Sequence, residues 1–282
     1  MKPAAFAYAK ARSLDHAIEL LGSDGGDARV LAGGQSLIAT LNMRLSSPSL
    51  LVDINGIPGL DGIAAKNGAL EIGALVRHAQ AERSELVGKH APLVALALPH
   101  IGHVAIRNRG TIGGSVAFAD PAAELPACLV ALGGEMLIAG PEGCRTVGAE
   151  QFFRGLFETA LGTRDVVTAV RVPRADRNSR CGFAEFSRRH GDYAMVGLAA
   201  HARADGEALR EVRLAFFGVG STPVRARGAE AALAGGKLAA AVAALRDDLD
   251  PPDDLQATGA VKQHLAGVLL ERVARQLAAR PS

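Results

Sequence analysis

The stretch "IGHVAIRNRGTIGGSVAFADPAAELP" (residues 101–126) contains a glycine pair and two carboxylates in one short run. Small hydroxyl side chains flank the glycines, in the order Thr111, Gly113, Gly114 and Ser115. Glycine lacks a Cβ, so a ligand or another backbone segment can approach closely at such a point. Asp120 and Glu124 can accept hydrogen bonds from hydroxyl or ring N–H groups. We interpret residues 111–120 as a strand that enters a glycine turn beside a ligand.

A second glycine pair occurs earlier, within "VLAGGQSLIATLNMRL" (residues 30–45), where an apolar strand stops at Gly33 and Gly34. Backbone N–H groups around such a turn can cradle an anion, and the hydroxyl of Ser36 adds a donor. An ordinary strand-to-turn corner explains this pair equally well when it is taken alone. The chain has neither G-x-G-x-x-G nor G-x-x-x-x-G-K-[ST], which disfavours a Rossmann site or an NTPase. Two such turns in one chain can grip two ends of a long diphosphate ligand.

The combination of "AGGQSL", "MRL", "LVDI" and residues 101–126 closely resembles the flavin-binding medium subunit of molybdenum hydroxylases. That family includes carbon monoxide dehydrogenase and xanthine dehydrogenase-like enzymes, and the resemblance covers essentially the whole chain. It implies an α+β protein with a two-subdomain FAD-binding fold of the vanillyl-alcohol-oxidase/PCMH type and a smaller C-terminal α+β domain. The implied boundaries are residues 1–176 for the FAD-binding domain, with subdomains of about 1–55 and 56–176, and 177–282 for the C-terminal domain.

The resemblance also assigns contacts to the cofactor. The two turns are implied to hold the diphosphate through Ala32, Gly33, Gly34, Gln35, Ser36, Leu37, Thr111, Gly113, Gly114 and Ser115. Glu124 falls near the adenosine and ribitol side, and Ile101 and Leu161 fall at apolar ligand contacts. Ser187 and Tyr193, within "FSRRHGDYAMVG", fall beside the isoalloxazine ring.

The function implied by the resemblance is electron relay. A substrate would be oxidised at a molybdopterin cofactor in a large subunit, and electrons would pass through two [2Fe-2S] clusters in a small subunit to FAD in this chain. No side chain is an obvious catalytic acid or base, which fits a chain whose chemistry belongs to its cofactor. We expect non-covalent FAD, because neither glycine turn contains a histidine or cysteine. The resemblance also implies a dimer of heterotrimers. The alternatives are a self-sufficient flavin oxidase of the same fold and a structural subunit that lacks flavin.

Composition excludes several other classes of protein. The 282 residues carry 31 Lys+Arg against 29 Asp+Glu, and this balance argues against a dedicated nucleic-acid surface. The three cysteines, Cys128, Cys144 and Cys181, cannot form a zinc or four-thiolate iron–sulfur site alone, and their sparse number suits a reducing compartment. We find no signal peptide and no apolar run long enough to span a membrane, so we expect a cytoplasmic protein without metal of its own.

Hydrophobic patterning predicts a mixed order of elements rather than a regular alternation, which favours α+β over a doubly wound sheet. A helix is expected over residues 13–22, with Ser13 as its cap, and helices broken at 247–254 are expected over 229–280. The polar segment 174–181 is interpreted as a linker. Strands are expected within 28–34, 49–54, 69–75, 135–140, 144–153, 165–173, 182–189, 193–204 and 211–220.

Overall fold

The computed structural model describes residues 2–23 and 25–279. Its first region is a three-stranded parallel sheet in the order β1-β3-β2. The strands are β1 (Ala7–Lys10), β2 (Ala28–Leu31) and β3 (Leu50–Asp53), and the helices of this region are α1 (Leu14–Ser23) and α2 (Leu37–Asn42). The apolar stripe of α1 is buried, and Ser13 Oγ accepts a hydrogen bond from the N–H of His16 at 3.1 Å, as expected for a cap.

The second region is built on a five-stranded antiparallel sheet in the order β4-β5-β10-β6-β7. Its strands are β4 (Ile63–Lys66), β5 (Ala69–Gly73), β6 (Glu135–Gly140), β7 (Gly143–Gly148) and β10 (Val166–Pro173), and a hairpin of β8 (Phe153–Gly155) and β9 (Glu158–Thr159) precedes β10. Its short helices are α3 (His78–Glu82), α4 (Glu85–His90), α5 (Pro92–Ala97), α6 (Val104–Arg107), α7 (Ile112–Phe118), α8 (Glu124–Leu132) and α9 (Ala149–Phe152), with a 3-10 turn at Leu98–His100.

The third region is a four-stranded antiparallel sheet followed by three helices. The strands are β11 (Ser179–Phe186), β12 (Val196–Asp205), β13 (Ala208–Phe217) and β14 (Val224–Arg225), and the helices are α10 (Arg227–Ala234), α11 (Leu238–Asp248) and α12 (Gly259–Ala278). Alternate residues of β13 point to opposite faces of the sheet. Leu214 and Phe216 join the core under the helices, whereas Ala215 and Phe217 join the core of the second region. Both faces of this sheet are therefore buried.

The structure confirms the α+β class and most of the expected elements, but residues 111–120 are not a strand. They form helix α7, which begins after Thr111 and buries Ile112, Gly113 and Val116. Burial at positions 112 and 116 follows a helical spacing, and Thr111 Oγ1 caps the helix by accepting from the N–H of Gly114 at 3.1 Å. The strand interpretation was wrong because two glycines next to an apolar run do not show whether buried residues recur every second position, as in a strand, or every third to fourth, as in a helix.

The segment expected to be a linker is an ordered turn. Asp176 Oδ1 accepts hydrogen bonds from the N–H groups of Asn178 and Ser179 at 2.9 and 3.0 Å, and β11 already begins at Ser179. The other oxygen of Asp176 pairs with Arg203 at 2.9 Å. The break at 247–254 is confirmed, whereas Arg280, the last residue of the expected helical range, lies outside the described residues. Among the helices that the structure describes, none is long and apolar enough to cross a bilayer.

An ion-pair cluster joins the second and third regions. Glu150, at the start of α9, accepts from three arginines of the third region: Arg213 at 2.7 Å, Arg225 at 2.9 Å and Arg227 at 2.6 Å. Arg225 also pairs with Glu230, which is itself buried. Among the described residues Glu150 is the one carboxylate that touches all three arginines, so its charge links the two regions.

We expect the Glu150→Gln variant to lose about 1–2 kcal/mol of unfolding free energy, because among the described residues Arg213 and Arg227 then lose their carboxylate partner and only Arg225 keeps one, Glu230. Chemical denaturation of the purified chain measures this change. Glu211→Gln is the matched control, since Glu211 is exposed and lies 4.0 Å from its arginine partner. Equal effects of the two variants would contradict a structural role for Glu150.

Candidate functional site

A cleft with a volume of about 720 Å³ opens between the three regions. Its walls come from residues 28–37 of the first region, from 101–124 and 154–167 of the second, and from 191–193 of the third. The volume lies within the range of about 300–1,000 Å³ that is typical of small-molecule sites. The cleft is therefore large enough for a long ligand that touches all three regions.

The first glycine turn presents unpaired donors to this cleft. Within the described residues, the backbone N–H groups of residues 33–36 donate no hydrogen bond, and the hydroxyl of Ser36 forms none. Gly34 has φ +73°, a left-handed conformation that glycine adopts without steric cost. Backbone N–H groups that converge on a concave surface favour an anion, because each carries a partial positive charge.

Gly33 is required by the protein itself. A Cβ at this position would lie 2.4 Å from the carbonyl oxygen of Arg109 and 2.8 Å from the Cα of Gly110. These are backbone atoms of the segment that leads into α7, and they cannot swing away as the end of a side chain can. The missing side chain at Gly33 thus allows the two glycine turns to pack backbone against backbone.

A polar network fixes this contact. The side chain of Asn55 donates to the carbonyl of Ala32 at 2.8 Å and to Asp53 Oδ1 at 2.7 Å. Arg77 donates through one guanidinium nitrogen to Asn55 Oδ1 at 2.7 Å and through another to the carbonyl of Arg109. The network therefore links the end of the first turn to the start of the second.

The second turn differs from the first because its backbone donors are already used. The N–H groups of Ile112 and Gly113 donate to the carbonyls of Val76 and Ala74 at 3.0 and 2.9 Å, and that of Ser115 donates to the carbonyl of Thr111 at 3.0 Å. A Cβ at Gly113 would lie 2.4 Å from that of Ala74, so this glycine also serves close packing. Within the described residues the Ser115 hydroxyl forms no hydrogen bond and remains available to a ligand.

All but one of the predicted site residues line the cleft. Those that do are Ala32, Gly33, Gly34, Gln35, Ser36, Leu37, Ile101, Thr111, Gly113, Gly114, Ser115, Glu124, Leu161 and Tyr193. Ser187 is not among the lining residues, and its hydroxyl donates to the carbonyl of Arg189 at 2.8 Å. The turn that follows Ser187 does reach the cleft, because Gly191 packs on the backbone of Gly102.

Two acidic residues at the cleft wall have raised pKa values. Burial, together with the smaller effects of the neighbouring Glu185 and Asp120, raises the pKa of Glu124 to about 8. Burial likewise raises the pKa of Asp120, whose Oδ1 accepts from the N–H of Ala122 at 2.9 Å. A protonated Glu124 can donate a hydrogen bond to a ligand oxygen at neutral pH, which an ionised carboxylate cannot do.

The cleft also contains residues that sequence reasoning missed. His78 is buried, and within the described residues neither of its ring nitrogens has a hydrogen-bond partner. Burial lowers its pKa to about 4, so the imidazole is neutral at pH 7. Phe118 lies one helical turn after Ser115, a spacing that would have identified it had α7 been recognised as a helix. Phe157 reaches the cleft from the hairpin β8–β9, and no local sequence signal predicts this.

Comparison with known proteins gives a consistent result along the whole chain. A family model described as the FAD binding domain in molybdopterin dehydrogenase matches residues 4–175, and one described as the CO dehydrogenase flavoprotein C-terminal domain matches residues 182–277. The 6-hydroxypseudooxynicotine dehydrogenase complex subunit alpha of Paenarthrobacter nicotinovorans is 39% identical over 96% of this chain and 94% of its own length.

Two further proteins illustrate the similarity. The caffeine dehydrogenase subunit beta of Pseudomonas sp. (strain CBB1) is 34% identical over 99% of this chain and 97% of its own length. A solved structure of carbon monoxide dehydrogenase from Hydrogenophaga pseudoflava matches with a TM-score of 0.97 at 35% identity, covering 100% of both chains. The similarity therefore extends over both sequence and fold.

We expect Gly33→Ala to reduce the unfolding free energy by about 1–3 kcal/mol, because the new methyl group forces the two turns apart. Chemical denaturation of the chain measures the loss. Gly62→Ala is the control, since a Cβ at the exposed Gly62 meets no atom within 4 Å. If the Gly33→Ala variant were as stable as the Gly62→Ala variant, the backbone contact would not be required.

Glu124 predicts a pH dependence of stability. Its pKa in the folded chain, about 8, lies above the ordinary value of 4.5, so the folded state holds this proton more tightly than the unfolded state. The resulting stabilisation is fully present below pH 4.5 and is lost as the pH rises through about 8. When the pH is raised from 5 to 9, we expect the melting temperature of the ligand-free chain to fall less in Glu124→Gln than in the wild type. The exposed Glu142→Gln variant controls for the loss of one carboxylate, and parallel wild-type and Glu124→Gln profiles would contradict the assignment.

Proposed function

The chain belongs to the family of FAD-binding medium subunits of molybdenum hydroxylases, and we propose that its cleft binds one FAD non-covalently, with the diphosphate on the first glycine turn. The observation that carries this proposal is the set of unpaired N–H groups at residues 33–36 beside the free hydroxyl of Ser36. A diphosphate is an anion with many acceptor oxygens and no donor, so it matches this surface in both charge and hydrogen bonding.

The remaining predicted residues have distinct tasks in this proposal. The Ser115 hydroxyl donates to the diphosphate from the opposite wall, whereas Thr111 and the glycine pair at 113 and 114 hold that wall in place. Glu124 donates its proton in a hydrogen bond to a hydroxyl or carbonyl oxygen of the cofactor. Ile101 and Leu161 provide apolar contacts.

Tyr193 offers a flat ring at the cleft edge and is 58% exposed. An aromatic side chain in this position suits a planar heterocycle, because it covers a large apolar face and loses little conformational entropy. We assign Tyr193 to the isoalloxazine side. Ser187 belongs to the same turn, but we assign it no direct contact with the cofactor, since its hydroxyl donates to the carbonyl of Arg189.

FAD supplies two-electron and one-electron chemistry, and in complexes of this family it receives electrons from iron–sulfur clusters and passes them to an external acceptor. The chain's own contribution is to bind, orient and shield the cofactor. The names of the relatives describe subunits of larger enzymes, which supports an electron relay over a self-sufficient oxidase. We further propose a small iron–sulfur subunit and a large molybdenum subunit as partners, a dimer of heterotrimers, a cytoplasmic location, and domain boundaries at residues 1–176 and 177–282.

The Gly34→Asp variant tests the placement of the diphosphate. Aspartate and asparagine both tolerate a positive φ, but only aspartate adds a negative charge beside the phosphates. We expect Gly34→Asp to lose most of its FAD while its folding is retained, and Gly34→Asn to keep distinctly more. The flavin-to-protein ratio after co-purification with the partner subunits, together with far-UV circular dichroism, measures both effects. Full occupancy in Gly34→Asp would show that the phosphates bind elsewhere.

A further inference from the structure

The hairpin β8–β9 carries a conformational conflict at its tip. Leu156 and Phe157 form the two-residue connection between the strands, and Phe157 has φ +55°. Glycine or asparagine usually occupies a left-handed position in a hairpin, because a bulky side chain there clashes with the backbone. A phenylalanine at such a site departs from the local rule, and departures of this kind concentrate at functional sites.

The ring of Phe157 is held over the cleft. It is 53% exposed, it lines the cleft, and it meets the ring of Phe118 edge-on with centroids 5.2 Å apart and planes at 64°. Phe118 lines the same cleft from the end of α7. The adjacent Leu156 is 63% exposed and is not among the lining residues, so only one of the two tip residues faces the site.

The stem of the hairpin fixes the tip in this position. Phe153 is buried and packs edge-on against Phe152, with ring centroids 5.1 Å apart. After the hairpin, the N–H of Ala160 donates to the carbonyl of Phe152 at 2.8 Å, and Arg145 donates to the carbonyl of Ala160 at 2.8 Å. Since both ends are anchored, the left-handed conformation of Phe157 directs its ring at a defined part of the cleft.

We propose that Phe157 and Phe118 form an aromatic wall that packs against one planar ring system of the bound dinucleotide. This inference rests on the proposed FAD site and adds two positioning residues to it. A half-exposed ring has apolar surface that a flat heterocycle can cover, and aromatic pairs gain further from offset or edge-on contact. The strained backbone is retained because glycine or asparagine at this position would relieve it only by removing the ring.

The test uses Phe157→Asn, which tolerates the backbone conformation but lacks the ring, and Phe157→Tyr, which keeps the ring. FAD is titrated into the flavin-free chain purified with its partner subunits, and flavin fluorescence and visible circular dichroism report binding. We expect about tenfold weaker binding for Phe157→Asn, wild-type affinity for Phe157→Tyr, and no change for the control Leu156→Ala. The thermal unfolding midpoint of flavin-free Phe157→Asn should not fall, because relief of strain offsets the lost ring contact.

Titrations with FMN and ADP identify the ring. If Phe157→Asn also binds FMN more weakly than the wild type, the wall lies at the isoalloxazine. If it instead binds ADP more weakly, the wall lies at the adenine. Wild-type FAD affinity in Phe157→Asn, a loss shared by neither FMN nor ADP, or a fall in its unfolding midpoint that accompanies the lost affinity would each overturn the inference. Failure of the wild-type chain to bind FAD would instead contradict the proposed function itself.

Discussion

The contact between Gly33 and the backbone of Arg109 and Gly110 is the constraint on which the site depends. It brings a turn of the parallel sheet against a loop of the antiparallel sheet at a separation that no side chain permits. Asn55 and Arg77 then donate hydrogen bonds to the carbonyls of Ala32 and Arg109 beside the contact, and Arg77 also donates to Asn55. With those carbonyls occupied, the N–H groups of residues 33–36 are left facing the cleft. One steric requirement thus joins two subdomains and leaves unpaired backbone donors at their junction.

The two glycine turns look alike in sequence and act differently. The first leaves its backbone donors free, whereas those of the second donate to the carbonyls of Ala74 and Val76, which follow β5, and to Thr111. This division has a physical reason, because α7 must be anchored to the sheet before it can form a rigid wall. A ligand therefore finds backbone donors on one side of the cleft and side-chain hydroxyls on the other.

The third region also shapes the site, although most of it lies far from the glycine turns along the chain. Its sheet is buried on both faces, and the Glu150 cluster holds it against the second region. The connection between β11 and β12 returns to the cleft, where Gly191 packs on Gly102 and places Tyr193 at the edge. The orientation of the C-terminal region thus decides that the ring of Tyr193 lines the cleft.

The sequence by itself determined the α+β class, most of the strands, the two glycine turns and fourteen of the residues that line the cleft. It could do so because buried positions recur regularly along a strand and small residues occur where backbone segments pack closely, and both features are visible in a short stretch of sequence. The family resemblance also covers the whole chain. Only the tertiary structure decided that residues 112–118 are helical, that Gly33 allows another backbone segment to approach, that Ser187 does not line the cleft, and that His78, Phe118 and Phe157 do. Those features depend on which distant segments come into contact in the folded chain. The residues around one position do not show which distant residues will pack against it.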